Sequence, residues 1–345
     1  MKIDVEEQVL HFKQPAGTSR GVYTERRVWL VRVSDDPAVG VGDGSAVGVG
    51  ECAPLPDLSC DALPSHKYKE VLEGFCRRVE ETGEIPYDDL RDFPSMLFGL
   101  ETAMRSFNTP FSRGEVGIPI NGLVWMGTFD EMSRRIEEKL EQGFRCVKLK
   151  IGAIDFDAEI SLLKQIRQRF GPRDVELRVD ANGSFPFDEA LYKLELLSQY
   201  ALHSIEQPIR AKQWANMAEL CRESPLRIAL DEELIGINDP DQKRQMLNII
   251  KPAFIVLKPS LHGGMAGCRE WIDIAKDMGI GTWITSALES NIGLNAIAQF
   301  CSEVYGPDIR MAQGLGTGQL FTDNIDMDLE IRGDKLWRTD SSHNL

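Results

Sequence analysis

Five ionisable residues recur at matching positions of successive strand-like runs, which makes them the first candidates for chemistry. They are Lys150, Asp180, Glu206, Asp231 and Lys258, and neighbouring members lie 25 to 30 residues apart. That interval is about one strand-plus-helix unit, and the carboxyl ends of parallel strands meet at the same face of a barrel. A single acidic residue at a strand end is usually a helix cap or a solvated loop charge. The recurrence in successive units predicts instead that all five side chains converge.

Three converging carboxylates would repel one another unless a cation lay between them. Oxygen ligands without histidine or cysteine indicate a hard divalent ion, so we expect Asp180, Glu206 and Asp231 to bind Mg²⁺, with Mn²⁺ as a substitute. A lysine beside a metal ion and a second lysine has its charged form disfavoured, so it can act as a base near neutral pH. We therefore predict Lys150 and Lys258 as the catalytic lysines, acting on a proton α to a metal-bound carboxylate.

Lys148 shares a strand-like run with Lys150. Side chains alternate along a strand with period two, so both ammonium groups point to the same face. A surface strand would leave this pair in solvent, whereas a strand inside an α/β protein would need an anionic site to receive the charges. Lys148 would therefore tune Lys150 or approach the substrate carboxylate, or else it is a structural partner of a barrel carboxylate.

Strand-like and helical runs alternate from about residue 116. Nearly continuous apolar strands in repeated βα units indicate a parallel sheet covered by helices, and seven or eight such units favour a closed barrel. The predicted strands are 118–124, 146–151, 175–180, 204–206, 227–231, 254–258 and 281–285, with an eighth near 309–315. The fold class is therefore α/β, with a (β/α)7β TIM-like barrel that we place at residues 116–320.

The first third of the chain reads as strands followed by helices, which indicates an α+β domain over residues 1–115. Its glycine-rich stretch at 39–44 is predicted to be a hairpin loop, because no Gly-Lys-Ser/Thr follows it as in a phosphate-binding loop. Helical spacing covers residues 67–82, and a second apolar stripe runs from Met96 to Phe107. We expect the polar and acidic segment 321–345 to pack back on this first domain.

Composition excludes several classes of function. The formal charge of −15 argues against nucleic acid or an anionic membrane surface as the main partner, and no apolar run is long enough to span a membrane. The charged N-terminus has no apolar export segment, and the seven cysteines are scattered without a CxxC pair. We therefore expect a cytoplasmic protein with reduced thiols and a small-molecule carboxylate as its partner, and we make no prediction of oligomeric state.

Several motifs resemble the muconate-lactonising subgroup of the enolase superfamily. In the barrel they are CVKLKIG (146–152), LRVDANG (177–183), IEQP (205–208), ALDE (229–232) and IVLKP (255–259). In the first domain they are GVGECAP (48–54) and LFGLE (97–101). The resemblance covers nearly the whole chain in order, and it implies an α+β capping domain and a (β/α)7β barrel. It also implies Asp180, Glu206 and Asp231 as the Mg²⁺ ligands, with Asp231 preferred to the adjacent Glu232, and Lys150 and Lys258 as the two lysines of the site.

Within that subgroup the chain is most similar to the o-succinylbenzoate synthase family. The similarity is carried by IPINGLVWMG (118–127), TSALESN (285–291) and QGLGTGQLF (313–321). Dipeptide epimerases of the subgroup typically carry an Asp-x-Asp pair at the last catalytic strand, whereas this chain has TSALE there, which argues against an α-amino dipeptide substrate. We expect Asn182 to line the pocket or to serve a turn, Ser286 to bind a distal carboxylate, and Arg20, in a loop that closes over the substrate in this subgroup, to contact an anion.

The resemblance implies a Mg²⁺-dependent dehydration of a cyclohexadiene carboxylate to an aromatic product, in menaquinone biosynthesis. Lys150 would remove the α-proton and then assist departure of the hydroxyl group, and Lys258 would stabilise the developing charge. The same residues would also serve an N-acylamino acid or dipeptide racemase or epimerase, with Lys150 and Lys258 as opposed bases, or a muconate cycloisomerase. A barrel without activity, kept as a binding protein, is disfavoured by the complete set of three acids and two lysines.

Overall fold

The structure is a computed structural model that describes residues 1–18, 21–34, 48–125, 127–152 and 154–339. The predicted hairpin loop at 39–44 and the predicted substrate contact Arg20 lie outside these residues. Every other candidate site residue lies within them.

The N-terminal region forms an antiparallel sheet followed by helices, as the sequence predicts. The strands β1 (Lys2–Thr18), β2 (Gly21–Ser34) and β3 (Gly48–Cys52) pair in that order. The helices are α1 (Ser65–Thr82), α2 (Tyr87–Leu90) and α3 (Pro94–Ala103). The predicted stripe to Phe107 is too long, because α3 ends at Ala103 and a turn held by the side chains of Thr109 and Ser112 follows.

The central region is a parallel barrel, in agreement with the predicted fold class. Its sheet contains, within the described residues, β5 (Gly122–Val124), β6 (Cys146–Lys150), β7 (Glu176–Asp180), β8 (Ser204–Glu206), β9 (Ile228–Leu230), β10 (Phe254–Leu257) and β11 (Gly281–Ile284) in sequential order. Helices outside the sheet are α4 (Phe129–Glu141), α5 (Phe156–Arg169), α6 (Phe187–Ser198), α7 (Trp214–Glu223), α8 (Pro240–Ile250), α9 (Gly264–Asp277) and α10 (Asn291–Tyr305). One 3-10 turn, Glu232–Leu234, follows β9.

Residues 313 and 314 close the ring where the eighth strand was predicted. Gln313 bridges Ile120, and Gly314 bridges Thr285, both in parallel orientation. The Gln313 N–H donates to the Pro119 carbonyl at 2.8 Å, and the Gly314 N–H donates to the Ile284 carbonyl at 2.8 Å. The predicted strand 118–124 is divided, because its first part, β4 (Ile118–Pro119), pairs with a C-terminal strand while β5 enters the barrel.

Two glycines let the N-terminal sheet lie directly on α3. A Cβ on Gly50 of β3 would meet the carbonyl oxygen of Gly99 at 1.8 Å, and a Cβ on Gly99 would meet the Cys52 sulfur at 2.2 Å. Neither contact is sterically possible, so the close approach requires glycine at both positions. Both belong to motifs that carried the family resemblance.

Two buried glutamates of the N-terminal region bind the N-termini of barrel helices. Glu101 on α3 accepts the N–H groups of Met265 and Ala266 at the start of α9, at 2.5 and 3.0 Å. Glu51 on β3 accepts the N–H groups of Ser290 and Gly293 at the start of α10, each at 2.9 Å. Carboxylates complement the positive end of a helix, so these contacts fix the N-terminal region over the barrel.

The C-terminal segment contacts both parts of the protein. Phe321 bridges Phe12 of β1, and the Thr322 N–H donates to the carbonyl of His11. Farther along, β12 (Leu329–Arg332) and β13 (Lys335–Arg338) form a hairpin that pairs with β4. The predicted division into 1–115, 116–320 and 321–345 stays a prediction. No helix among the described residues is long and apolar enough to span a membrane.

Candidate active site

Strand register places the predicted residues side by side at the carboxyl end of the barrel. Lys150, Asp180 and Glu206 are aligned across β6, β7 and β8. Asp231 directly follows β9, and Lys258 directly follows β10. The acids are fully buried by their neighbours, with 0% exposure for Asp180, 2% for Glu206 and 0% for Asp231. The structure thus brings together all five residues that recur along the sequence.

Each buried carboxylate has a lysine ammonium against it. Lys150 Nζ donates to Asp180 Oδ2 at 2.6 Å, and Lys258 Nζ donates to Asp231 Oδ2. Lys148 Nζ lies 2.8 Å from Asp180 Oδ2 and 2.6 Å from Glu206 Oε2. Lys148 therefore contacts barrel carboxylates directly, as one of its two sequence interpretations proposed.

The charges shift one another's proton affinities. Burial disfavours the ammonium of Lys148, but the charges of Asp180, Glu206 and Asp231 outweigh it and raise the pKa of Lys148. Burial works against the Asp180 carboxylate too, yet the adjacent lysines hold the pKa of Asp180 well below its usual range. Burial and the charge of Asp180 together raise the pKa of Glu206. The site is thus held together by opposite charges in a poorly solvated space.

Asn182 links Lys150 to a further carboxylate. Its Oδ1 accepts from Lys150 Nζ at 2.8 Å, and its Nδ2 donates to Glu232 Oε1 at 3.0 Å. Its backbone is left-handed, with φ of 44°, as in a turn, and its side chain lines the cavity. The turn role and the pocket role predicted for Asn182 are therefore compatible. Burial raises the pKa of Glu232 to about 7, with the charges of Asp231 and Asp180 adding to the effect.

The donor set suits a hard divalent cation. Glu206 Oε1, Asp231 Oδ1 and Glu232 Oε2 are buried oxygens without a hydrogen-bond partner in the structure. An unpaired buried carboxylate oxygen is costly, and a cation would satisfy it. In the described part of the chain no three His, Cys, Asp or Glu side chains are already spaced as a ligand set. Glu206 and Asp231 fit such an ion through their unpaired oxygens. Asp180 fits it through the chemistry of its carboxylate, although Oδ1 accepts the Asn182 N–H and Oδ2 accepts from Lys150 in this structure.

Two backing residues were not identified from the sequence. His262 Nδ1 accepts the backbone N–H of Lys258 at 2.9 Å, where β10 leaves the sheet. Gln207 Oε1 accepts the backbone N–H of Asp231 at 3.2 Å. Both act on the backbone of a site residue. Gln207 belongs to the IEQP motif (205–208), but the residue type and position of neither one indicate such a contact.

One cavity is lined by the site lysines on one part of its wall and by apolar side chains on the rest. It is lined by Lys148, Lys150, Asn182 and Lys258, and also by Ser286. The Ser286 hydroxyl lies 2.5 Å from that of Thr317. The apolar and aromatic lining was not predicted from the sequence, and it comprises Tyr23, Leu55, Leu58, Leu123, Trp125, Trp283, Ala287 and Leu288. These residues come from segments far apart in the chain, so no local pattern marks them.

Known proteins share sequence and fold with this chain. The family model described as enolase C-terminal domain-like matches residues 131–332. The chain therefore belongs to the enolase superfamily, as its motifs predicted. The sequence is 44% identical to o-succinylbenzoate synthase of Desulfotalea psychrophila, over 97% of this chain and 98% of that protein. The predicted similarity to that synthase family is confirmed.

Solved structures give the same architecture. The crystal structure of MenC from D. psychrophila aligns with a TM-score of 0.80 at 41% identity, covering 98% of this chain and 99% of that one. A substrate-liganded L-Ala-D/L-Glu epimerase from Bacillus subtilis aligns with a TM-score of 0.79 at 20% identity, covering 98% of this chain and 97% of that one. The second likeness shows the fold alone.

Proposed function

We propose that this protein is an o-succinylbenzoate synthase, a metal-dependent hydro-lyase that dehydrates 2-succinyl-6-hydroxy-2,4-cyclohexadiene-1-carboxylate. The observation that carries the proposal is the set of buried acids at the barrel mouth, with Lys150 and Lys258 on Asp180 and Asp231. The full-length similarity to a synthase of this name supports the choice among superfamily reactions.

Lys150 is the proposed base. Its Nζ faces the cavity beside Asn182, so a ring carbon bound there would meet an amine held in place by two oxygen acceptors. In the neutral form Lys150 takes the proton from the carbon that bears the carboxylate. The same nitrogen then returns that proton to the hydroxyl group of the adjacent carbon, which leaves as water. One residue acts as base and then as acid, so the elimination is syn.

Lys258 is the proposed electrostatic partner of Lys150. It directly follows β10 and lines the same cavity as Lys150, anchored by Asp231 and by the bond from its own backbone to His262. Its fixed positive charge stabilises the negative charge that develops as the proton leaves, and an ammonium over a forming aromatic ring is also favourable.

Asp180, Glu206 and Asp231 are the proposed ligands of Mg²⁺, with Mn²⁺ as a substitute, and Glu232 stands beside them as a buried acid. When bound, the ion supplies a Lewis acid for the substrate carboxylate and lowers the cost of its developing charge. Lys148, which contacts both Asp180 and Glu206, would hold these two carboxylates in place. Enzymes of this superfamily use a lysine or histidine base together with Mg²⁺.

The remaining contacts concern the succinyl group. We propose that Ser286 meets its distal carboxylate, because this hydroxyl lies in the wall of the same cavity as the lysines. Arg20 stays proposed as an anion contact.

We further propose a cytoplasmic enzyme without a nucleic-acid or membrane partner, consistent with seven cysteines that are all free thiols.

The test is turnover of the cyclohexadiene substrate, followed by the ultraviolet absorbance of the aromatic product. Activity should vanish with EDTA and return with Mg²⁺, and activity indifferent to chelation would refute the metal assignment. N-acylamino acids in deuterium oxide provide the comparison, because a racemase would exchange their α-proton. Rapid exchange without dehydration would replace the proposed reaction with racemisation.

A further inference from the structure

A buried arginine joins the two regions of the protein behind the cavity wall. Arg26 lies on β2 and is 2% exposed. Burial lowers the pKa of its guanidinium, against the nearby charges of Glu289 and Glu51. Within the described part of the chain, every acceptor of an Arg26 hydrogen bond is a backbone carbonyl. Burying a guanidinium without an ion-pair partner is costly, and its hydrogen bonds to carbonyls offset that cost only while those carbonyls stay in place. Arg26 and the two loops that supply the carbonyls are therefore held in one fixed arrangement.

The carbonyls come from two loops that face the cavity. On the N-terminal side Arg26 donates to Ala53, and to Pro54 at 2.5 Å. On the barrel side it donates to Leu288 at 3.2 Å through Nε, and to Ala287 at 3.3 Å. The first loop leads directly into Leu55, which lines the cavity together with Ala287 and Leu288.

The barrel loop needs such an anchor because its backbone is strained. Leu288 has φ of 66°, in the left-handed region that residues with a Cβ rarely adopt. Its carbonyl is held by Arg26, and the Ala287 N–H on the other side of the turn donates to Glu289 Oε2 at 2.6 Å. The strained turn keeps the Leu288 side chain, 8% exposed, in the cavity wall.

We infer that Arg26 is a positioning residue for substrate specificity: it fixes the apolar wall formed by Leu55, Ala287 and Leu288 against the part of the substrate remote from the lysines. The inference rests on the proposed function for the identity of the substrate. None of the Arg26 contacts involves Lys150, Lys258 or a carboxylate of the site. Loss of Arg26 should therefore weaken binding while the bond-breaking residues keep their places.

The experiment compares Arg26→Met and Arg26→Lys with Arg27→Met. Arg27 is the matched control, because it is the next residue of the same strand, lies partly in solvent with 39% side-chain exposure, and pairs with Glu7. The measurements are kcat and KM for the cyclohexadiene substrate, calorimetric binding of o-succinylbenzoate, and thermal unfolding. Wild-type protein is assayed first, and its failure to turn over the substrate would count against the proposed function alone.

For Arg26→Met we expect KM and the product Kd to rise at least about tenfold, with kcat within about threefold of wild type. For Arg26→Lys we expect KM and Kd between those of wild type and Arg26→Met, because one ammonium reaches fewer carbonyls than a guanidinium. Arg27→Met should have the wild-type values. A folded Arg26→Met with unchanged KM and Kd would overturn the inference. So would a loss confined to kcat, which would point to the catalytic groups.

A second variant covers the case in which Arg26→Met does not fold. Leu288→Gly retains the carbonyl that Arg26 binds, and glycine adopts the left-handed backbone without strain. Only the side chain that forms the wall is removed. KM and product Kd should again rise with kcat maintained. Wild-type values for this folded variant would show that the wall does not touch the substrate, and the role assigned to Arg26 would fall with it.

Discussion

Replacing Lys148 with methionine measures how much the charge of this lysine contributes to the free energy of unfolding. The side chain is 11% exposed and bridges Asp180 and Glu206 at 2.8 and 2.6 Å. Methionine has a similar length without the charge, so Glu206 would lose the ammonium that contacts it and Asp180 would keep only Lys150. Removing one partner of a buried ion pair costs about 3–5 kcal/mol, because the remaining charge stays desolvated. In EDTA we expect the free energy of unfolding to fall by that amount.

Mg²⁺ should reverse much of this loss. A ligand at about 100 times its Kd stabilises the folded state by about 2.7 kcal/mol, and the variant should bind the ion more tightly because no ammonium competes for the carboxylates. Urea unfolding in EDTA and in saturating Mg²⁺ measures both values. Wild type is stabilised as well, so we expect the deficit of Lys148→Met to shrink by about 1.4 kcal/mol for each tenfold by which the variant binds the ion more tightly.

The control is Lys67→Met, since the Lys67 side chain is 50% exposed and its ammonium pairs with Glu70 on the surface of α1. Exposed pairs contribute about 0.2–1 kcal/mol, so this variant should be nearly neutral with or without Mg²⁺. The reasoning would be refuted if Lys148→Met in EDTA came within about 1 kcal/mol of wild type. It would also be refuted if Mg²⁺ stabilised the variant less than it stabilises wild type.

Three further predictions concern a base, a backing residue and a buried carboxylate. Lys150→Ala should lower kcat for dehydration at least about 10²-fold, while Mg²⁺ still raises the melting temperature, because the proposed ligands remain. His262→Ala should lower kcat, since the Lys258 backbone loses its acceptor, and His262→Gln should restore part of the loss in steady-state assays. Burial raises the pKa of Glu101 to about 7 from an ordinary 4.5. The folded state therefore binds this proton more tightly, and the resulting stability, present below pH 4.5, is lost as pH rises to 7. The unfolding free energy of wild type minus that of Glu101→Gln should fall by about 3 kcal/mol from pH 4.5 to 8 in urea titrations, and a flat difference would contradict the shift.

Much of the active site was visible in the sequence because a repeated fold puts a repeat into the chain. Lys150, Asp180, Glu206, Asp231 and Lys258 each stand at or just after a strand end, and strands of a parallel barrel are added in order. Spacing along the chain is then converted directly into position around a ring. The residue types limited the chemistry further, since clustered acids with lysines admit few stable arrangements.

The contacts between distant segments could not be predicted in this way. Arg26 was unremarkable in a strand with several charged residues, and only the packing of two loops around it reveals a buried clamp. Glu51 and Glu101 were recognised as parts of family motifs, but not as acceptors for the N-termini of α10 and α9. His262 became meaningful only when its ring was seen against the Lys258 backbone.

The sequence by itself determined the fold class and the identity of the charged residues at the barrel mouth, because both follow from periodicities that are local to each βα unit. Only the tertiary structure decided which lysine meets which carboxylate, with Lys148 across Asp180 and Glu206. It also decided which apolar residues enclose the cavity. Those features depend on how segments far apart in the chain approach one another, and free energies of burial and pairing select that approach over the whole molecule rather than within any one segment.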